Sequence, residues 1–363
     1  MKLRELIALA ETIAPTRFAE SWDNVGLLAG DPEMDVTRVL LTNDVTREVL
    51  GEAKRAKANV VYAYHPPLFS PVKHVRAGSL VFDAIRDGIA LYSPHTALDV
   101  ARGGTNDVLA DACGIADALP IKPYQAAPEA AKLVTFVPNE NLESVADVLF
   151  QAGAGKIGDY RSCSFRTEGT GTFFGEAGTT PVVGSAGQLE RVKETKLELI
   201  VPLSKIDEVV HALRKSHPYE EPAFDLVMLH QAPPLESIGL GRIGNRALPI
   251  ERSTLIEEIK ERLGLTHVLV SGPAAGAVTR IAVLAGSAGD LWKRAIAMGA
   301  EVLVTGELRH HDALACSEAG MTVIACLHSN SERKTLHYVQ ARFNEARFDT
   351  LISQVDRDPF VIC

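Results

Sequence analysis

Arg38-Val-Leu-Leu-Thr-Asn-Asp-Val-Thr-Arg-Glu-Val-Leu-Gly-Glu-Ala-Lys-Arg-Ala-Lys-Ala-Asn-Val-Val-Tyr-Ala-Tyr-His65 holds two short apolar runs, Arg38–Thr42 and Val60–His65, flanking a helical segment from Thr46 to Lys57. Strands that are apolar throughout, rather than at every second residue, are those covered by helices on both faces. The stretch therefore reads as a strand–helix–strand unit of a largely parallel sheet. The alternation continues outward, with a helix over Leu80–Asp87, a strand over Ile89–His95 and a helix over Asn106–Cys113.

The same block occurs again. Residues Arg280 to Glu307 align on Arg38 to His65 without a gap, placing Arg280 on Arg38, Ala295 on Ala53, Ala300 on Ala58 and Val302 on Val60. Each block is followed, after one further connection, by a histidine with a carboxylate four residues later: His95-Thr-Ala-Leu-Asp99 and His328-Ser-Asn-Ser-Glu332. The expected fold class is α/β, with two related halves facing each other in one discontinuous domain, residues 1–125 and 236–363. Leu119–Pro128 reads as a linker, and Gln231-Ala-Pro-Pro234 closes the intervening segment. Between them, residues 131–230 carry strand (Leu133–Val137), helix (Leu142–Gln151), strand (Tyr160–Phe165), a Gly/Thr-rich loop, strand (Lys196–Val201), helix (Ile206–Ser216) and strand (Ala223–Leu229). That order predicts a ferredoxin-like inserted domain.

Composition excludes several classes. The chain has 363 residues and a net charge of -9, with no dense Lys/Arg run. We expect no binding to a nucleic-acid backbone, since that calls for a basic stripe. No apolar stretch is long enough for a bilayer span. The amino-terminal run Leu3–Ile13 carries Glu5 and Glu11 within its apolar pattern and predicts an amphipathic helix rather than a signal peptide. The five cysteines, Cys113, Cys163, Cys316, Cys326 and Cys363, are widely spaced and include no Cys-x-x-Cys pair. We expect free thiols and a cytoplasmic location, with Cys326 as a small apolar residue in a buried strand.

The chemistry gathers where the apolar runs end. His65, His95 with Asp99, and His328 with Glu332 each follow such a run, at the edge where ligands bind in open α/β sheets. Borderline divalent ions accept imidazole nitrogen and carboxylate oxygen together. Pro66 and Pro67 end the strand abruptly and hold His65 at its edge. Glu332 has a competing reading, as the third helical residue of a capping box with Ser329 as N-cap. Asp99 has none, since Val100–Gly104 makes no convincing helix. Gly286-Ser-Ala-Gly289 could receive a phosphate ahead of a helix starting near Asp290, or could be a tight turn with Asp290 as N-cap. Of the adjacent His310 and His311, at most one can face a site, and His311 is preferred. Gly153-Ala-Gly-Lys-Ile-Gly158 has the spacing of a dinucleotide fingerprint in the wrong context, with a helix before it and a strand after. His217-Pro-Tyr-Glu-Glu-Pro222 reads as a rigid turn.

Taken with Ser21-Trp-Asp-Asn-Val-Gly-Leu-Leu28, Tyr64-His-Pro-Pro67 and Thr305-Gly-Glu307, the two histidine–carboxylate motifs make the chain resemble the NIF-three-like family, whose members are often labelled type 2 GTP cyclohydrolase I homologues. Gly153-Ala-Gly155, Cys163-Ser-Phe165 and His217–Pro222 look like the PII- or CutA-like domain of longer members. The resemblance implies a toroidal homohexamer, as a trimer of dimers or stacked trimers. It also implies two divalent metal ions per subunit (zinc, manganese or iron), with His65, Asp99, His328 and Glu332 as ligands. Many bacterial members have a histidine pair where this chain has Tyr64-His65, and a neutral tyrosine is a poor ligand.

The expected activity is that of a metal-dependent hydrolase on a small phosphorylated or nucleotide-like substrate, with monoesters or cyclic nucleotides ranked above GTP because the chain is acidic. His95 and His311 are the candidate catalytic groups, with His95 orienting a ligand or a water beside the ions. The alternative is a non-catalytic metal-handling or regulatory protein whose inserted domain senses a small molecule.

Overall fold

Helix α1 (Leu3–Ile13) buries Leu3, Leu6, Ala10 and Ile13, whose spacing puts them on one face. Strands β1 (Gly26–Ala29) and β2 (Val39–Thr42) follow, then α2 (Arg47–Arg55), capped by the Thr46 hydroxyl accepting from the Val49 amide. Next come β3 (Val60–Ala63), α3 (Leu80–Arg86), β4 (Ala90–Ser93), the one-turn helix α4 (Thr96–Val100), α5 (Thr105–Ala112), β5 (Ala116–Leu119) and β6 (Lys122–Tyr124). This computed structural model describes residues 1–70, 72–125, 130–176, 178–179, 182, 184–229 and 235–361. The chain divides into two compact units, residues 1–124 with 234–363, and residues 125–233.

Residues 125–233 form a unit of their own: β7 (Ala130–Pro138), α6 (Leu142–Gln151), β8 (Phe165–Phe174), β9 (Leu189–Pro202), α7 (Ile206–Ser216) and β10 (Phe224–Leu229). The four strands make an antiparallel sheet in the order β10-β7-β9-β8, and α6 and α7 pack on it through Val145, Leu149, Val209 and Leu213. The strand expected over Tyr160–Phe165 lies elsewhere. It begins at Phe165 and runs through the Gly/Thr-rich segment to Phe174, paired with β9 from Phe165↔Glu198 to Phe174↔Leu189. β8 is an edge strand exposed along most of its length, so no buried face imposes the apolar alternation that would have announced it. Gly153–Gly158 follows α6, and the Gly155 amide donates to the Ile200 carbonyl, leaving it none for a phosphate.

The chain then adds β11 (Leu235–Leu240), β12 (Arg242–Glu251), α8 (Arg252–Leu263), β13 (Leu269–Ser271), β14 (Ala277–Ser287), α9 (Leu291–Ala297), β15 (Val302–Glu307), α10 (His310–Glu318), β16 (Thr322–Ala325), the one-turn helix α11 (His328–Glu332), α12 (Thr335–Glu345) and β17 (Thr350–Ile352). The helical stretch from His328 to Glu345 is thus broken at Arg333–Lys334. The expected linker Leu119–Pro128 holds the end of β5 and all of β6; its residues 126–128, and Gln231–Pro234, lie outside the described residues.

The larger unit holds a two-stranded antiparallel sheet, β11-β6, and two larger sheets. One has the order β1-β4-β3-β2-β17, parallel from β17 to β4, and the other β13-β16-β15-β14-β12-β5, parallel from β16 to β14. The pairs Val39↔Val60, Leu40↔Val61, Leu41↔Tyr62 and Thr42↔Ala63 in the first recur at the aligned positions of the second, as Ile281↔Val302, Ala282↔Leu303, Val283↔Val304 and Leu284↔Thr305. Successive residues of the apolar runs serve opposite faces, as the pleat requires. Val39, Leu41, Val60 and Tyr62 pack on α1 and α12, whereas Leu40, Val61 and Ala63 pack on α2 and α3.

The outer segments also exchange elements. β17 closes the first sheet and α12 covers it with Leu336, Val339 and Phe343, while β5 and α5 from the first segment complete the second. Arg242, 1% exposed, fastens that exchange by bonding the Asp107 carboxylate of α5 and the carbonyls of Gly239, Gly241 and Ala101.

Candidate metal centre

Parallel strands carry their connections to helices past their carboxyl ends, and there the first-sheet strand β3 meets α11 of the second. His65, two residues past β3, and His328 and Glu332, at the two ends of α11, bring their ligand atoms within 4.8 Å of one another. Glu332 is 3% exposed and divides its carboxylate: Oε2 lies 3.3 Å from His65 Nε2 and Oε1 lies 3.3 Å from His328 Nε2. The Asn43 side-chain amide donates to Oε2 at 3.1 Å. The capping-box reading of Glu332 does not hold, because the Ser329 amide donates to Asp358 at 3.2 Å and Glu332 turns inward instead.

Each imidazole is held by its far nitrogen. His65 Nδ1 lies 3.0 Å from Asp44 Oδ1, and His328 Nδ1 lies 3.2 Å from Glu307 Oε1. Carboxylates that hold the outer nitrogen fix the tautomer of metal-ligating histidines and raise their basicity. Burial disfavours charge on His65, but the hydrogen bond to Asp44 and the facing Glu332 carboxylate outweigh it and raise its pKa to about 10. Glu332 raises His328 to about 9 against the cost of burial. Burial pushes the Glu332 carboxylate up, and the two imidazoles more than reverse that, so it titrates below the usual range.

The donor set fits a divalent ion. His65 Nε2 is buried and makes no hydrogen bond, although it faces Glu332 Oε2. Two ligand atoms about 2.0–2.1 Å from one tetrahedral zinc lie roughly 3.3 Å apart, the separation found on both sides of Glu332. Gly286 lines the same spot with φ +63°, and a Cβ there would come within 2.5 Å of Glu332 Oε1 and 3.3 Å of His328 Nε2. In the alignment of the two blocks, Gly286 stands where the other half has Asp44.

Asp99 lies in α4, where its carboxylate accepts the Tyr64 hydroxyl. Burial raises Asp99 to about 7; the Tyr64 bond opposes this and the Glu332 charge adds to it. Tyr64 is itself buried, its pKa pushed well above the ordinary value, so it stays a neutral donor. The structure thus brings together three of the four expected ligands and leaves the fourth bonded to a tyrosine beside them. His95 stands next to this group, 5.5 Å from the His65 ring, with Nδ1 2.7 Å from the buried Asp23 carboxylate. The residues entering the two one-turn helices, His95 (φ +35°) and Leu327 (φ +71°), both have the left-handed backbone that L-residues rarely adopt. Such strain gathers at sites that need an exact side-chain placement.

Two expectations fall away from the centre. His311 is exposed on α10, its ring against His310, and takes no part in the group. In Gly286-Ser-Ala-Gly289, the Gly286 amide donates to Ser331 Oγ at 2.8 Å and the Ala288 amide to the Glu307 carbonyl at 3.3 Å, so the loop is committed internally rather than open to a phosphate.

The family model described as Duf34/NIF3 (NGG1p interacting factor 3) matches residues 1–359. The chain belongs to the Duf34/NIF3 family. Among its curated relatives is a GTP cyclohydrolase 1 type 2 homolog of Halalkalibacterium halodurans, 35% identical over 368 residues, covering 98% of this chain and 97% of that protein. A Mycobacterium tuberculosis protein of the same name is 37% identical over 339 residues, 92% and 88% of the two chains. Among solved structures, a Bacillus cereus protein related to NIF3 superposes over 100% of this chain and 99% of its own, with a TM-score of 0.66 and 34% identity. No helix among the described residues is long and apolar enough to cross a membrane.

For this Duf34/NIF3 chain, sequence reasoning missed Asp44, Asn43 and Asp23. Asn43 and Asp44 immediately follow β2, a strand end like those that marked the histidines, and this was the available signal. Asp23 lies within the Trp22-Asp-Asn24 motif that carried the resemblance, yet nothing in its spacing joins it to His95.

Proposed function

We propose that this protein is a metal-dependent hydrolase holding two divalent ions (zinc, manganese or iron), acting on a small phosphorylated or nucleotide-like substrate. One observation carries the reading: each oxygen of the buried Glu332 carboxylate faces a different imidazole, so a single side chain can serve two ions. His65 and Glu332 Oε2 would hold one, His328 and Glu332 Oε1 the other, with Asp99 completing the set. Bound there, the ions supply Lewis-acid polarisation of a phosphoester or cyclic amide and acidify water. Asp44 and Glu307 keep the two imidazoles oriented, and the Tyr64 hydroxyl orients the Asp99 carboxylate. His95, fixed through Nδ1 by Asp23, presents Nε2 as the proton-carrying group.

Metal analysis of the pure protein and of His328→Ala comes first, with loss of metal expected in the variant. A panel of phosphomonoesters, cyclic nucleotides and GTP is then assayed with zinc, manganese or iron(II), comparing wild type with Asp99→Ala. Turnover that survives in Asp99→Ala points to a contaminant. A filled site without turnover favours the second reading, a metal-handling or regulatory protein, which the hold of Tyr64 on Asp99 also supports. The strand order of residues 125–233 supports reading the insert as ferredoxin-like, of the PII or CutA kind. The homohexamer belongs to the same proposal, and light scattering should return six chain masses.

A further inference from the structure

Trp22 and Phe69 are 58% and 56% exposed, and they stand together, with ring centroids 5.7 Å apart and planes inclined at 44°. Neither is there through looseness. The Glu20 amide donates to Thr96 Oγ1 at 3.0 Å, Asp23 accepts from the Thr96 amide at 3.1 Å, and the Asn24 side chain donates to the Leu68 carbonyl at 2.5 Å. The turn bearing Trp22 is thereby fastened both to α4 and to the segment bearing Phe69. Two large apolar rings are held in water by buried polar groups, an arrangement that costs stability and marks a binding surface.

The location narrows what binds. Both rings touch His95 edge-on, with centroids 6.1 Å and 6.2 Å away, and His95 is one ring contact from His65. The two rings form a shallow V that is open on one side, walled by an imidazole and adjacent to the candidate ions. An alkyl chain gains most in an enclosed groove, whereas a planar ring gains from one exposed π-face. Stacking on such a face is strong and tolerant of the ring's identity.

We infer that Trp22 and Phe69 form a stacking platform for a planar heteroaromatic ring, one end of a substrate whose phosphate end reaches His65, His328 and Glu332. This rests on the metal-site reading for the far end of the ligand, but not for the platform itself. It makes Trp22 and Phe69 specificity-determining residues and assigns the substrate class as nucleotides rather than sugar phosphates.

The test uses GMP and ribose 5-phosphate as probes of full-length protein, zinc-loaded or treated with EDTA. The chain has two tryptophans, and Trp292 is only 7% exposed, so a change in fluorescence on adding ligand reports chiefly on Trp22. GMP should quench it and ribose 5-phosphate should not, and in Trp22→Phe the quench should vanish while binding survives. Trp22→Ala should weaken calorimetric GMP binding to the zinc-loaded protein by about tenfold or more, with zinc content unchanged. Equal affinity for the two probes, or GMP binding indifferent to Trp22→Ala, overturns the platform. So does Trp22 fluorescence that changes with protein concentration and not with GMP, because the rings would then be a subunit contact. A GMP affinity that is the same with and without zinc would defeat the metal reading of the phosphate end and leave the platform standing.

Discussion

Replacing Glu332 by Gln keeps the shape of the side chain and removes the charge shared by two imidazoles, so it isolates the electrostatics of the centre. The metal-free protein is where the effect can be worked out. The rise of His65 from 6.5 to about 10 corresponds to roughly 5 kcal/mol favouring its charged form, and its side chain is only 20% exposed. Asp44 keeps part of that interaction after the substitution. Removing one partner of a buried pair costs about 3–5 kcal/mol, and relief of the Glu332 desolvation returns some of it, so we expect a loss of about 2–3 kcal/mol. For a unit of this size that is roughly 5–10 °C in the melting temperature.

The pH dependence gives the sharper check. A raised imidazole pKa contributes stability that is fully present below 6.5 and lost as pH rises through about 10. The depressed carboxylate contributes above its unfolded value near 4.5 and loses its share as pH falls. The gap between wild type and Glu332→Gln should be widest from about pH 5 to 6.5 and should close toward pH 10. Differential scanning calorimetry in EDTA at pH 6, 8 and 10 measures it. A gap of the same size at pH 6 and pH 10, or none at pH 6, would refute the pairing of Glu332 with His65.

Asp44→Asn should weaken zinc binding by about 10- to 100-fold, read by competition with a chromophoric chelator; an unchanged affinity would remove Asp44 from support of His65. Gly286→Ala forces an L-residue into a left-handed backbone, at about 1–2 kcal/mol, and drives Cβ against the Glu332 carboxylate. It should lower both melting temperature and metal content, and a fully loaded variant would mean that the ions sit elsewhere. Tyr64→His replaces the hydroxyl bonded to Asp99 with a nitrogen ligand; bound metal per chain should rise, and an unchanged stoichiometry would show that Tyr64 does not limit the second ion.

Much of this fold was legible because burial on both faces leaves a plain trace. β2, β3 and β4 are short continuous apolar runs, and α1, α2 and α3 carry caps or apolar stripes near the expected boundaries. β12 was not visible, since Arg242, Asn245, Arg246 and Pro249 interrupt it and only pairing with β14 and β5 makes it a strand. At the centre, His65, His328 and Glu332 could be named because each follows an apolar run. The partner of His95 could not, for Asp23 and His95 meet only when two loops 72 residues apart are folded together. The hold of Tyr64 on Asp99 was hidden for the same reason, as it depends on the side-chain directions at two strand ends.

The exchange of β17 and α12 for β5 and α5 has a consequence for how the chain comes into being. On the ribosome, His65 emerges early, beside a sheet that lacks its last strand and one covering helix until α12 and β17 are made. The exposed face of β2 and β3, with Val39, Leu41, Val60 and Tyr62, must wait for Leu336, Val339 and Phe343. Contacts so distant along the chain form slowly and leave apolar surface open meanwhile. The centre is therefore assembled only once α11 has been made, and a nascent chain stalled before it would present His65 and His95 without His328 and Glu332.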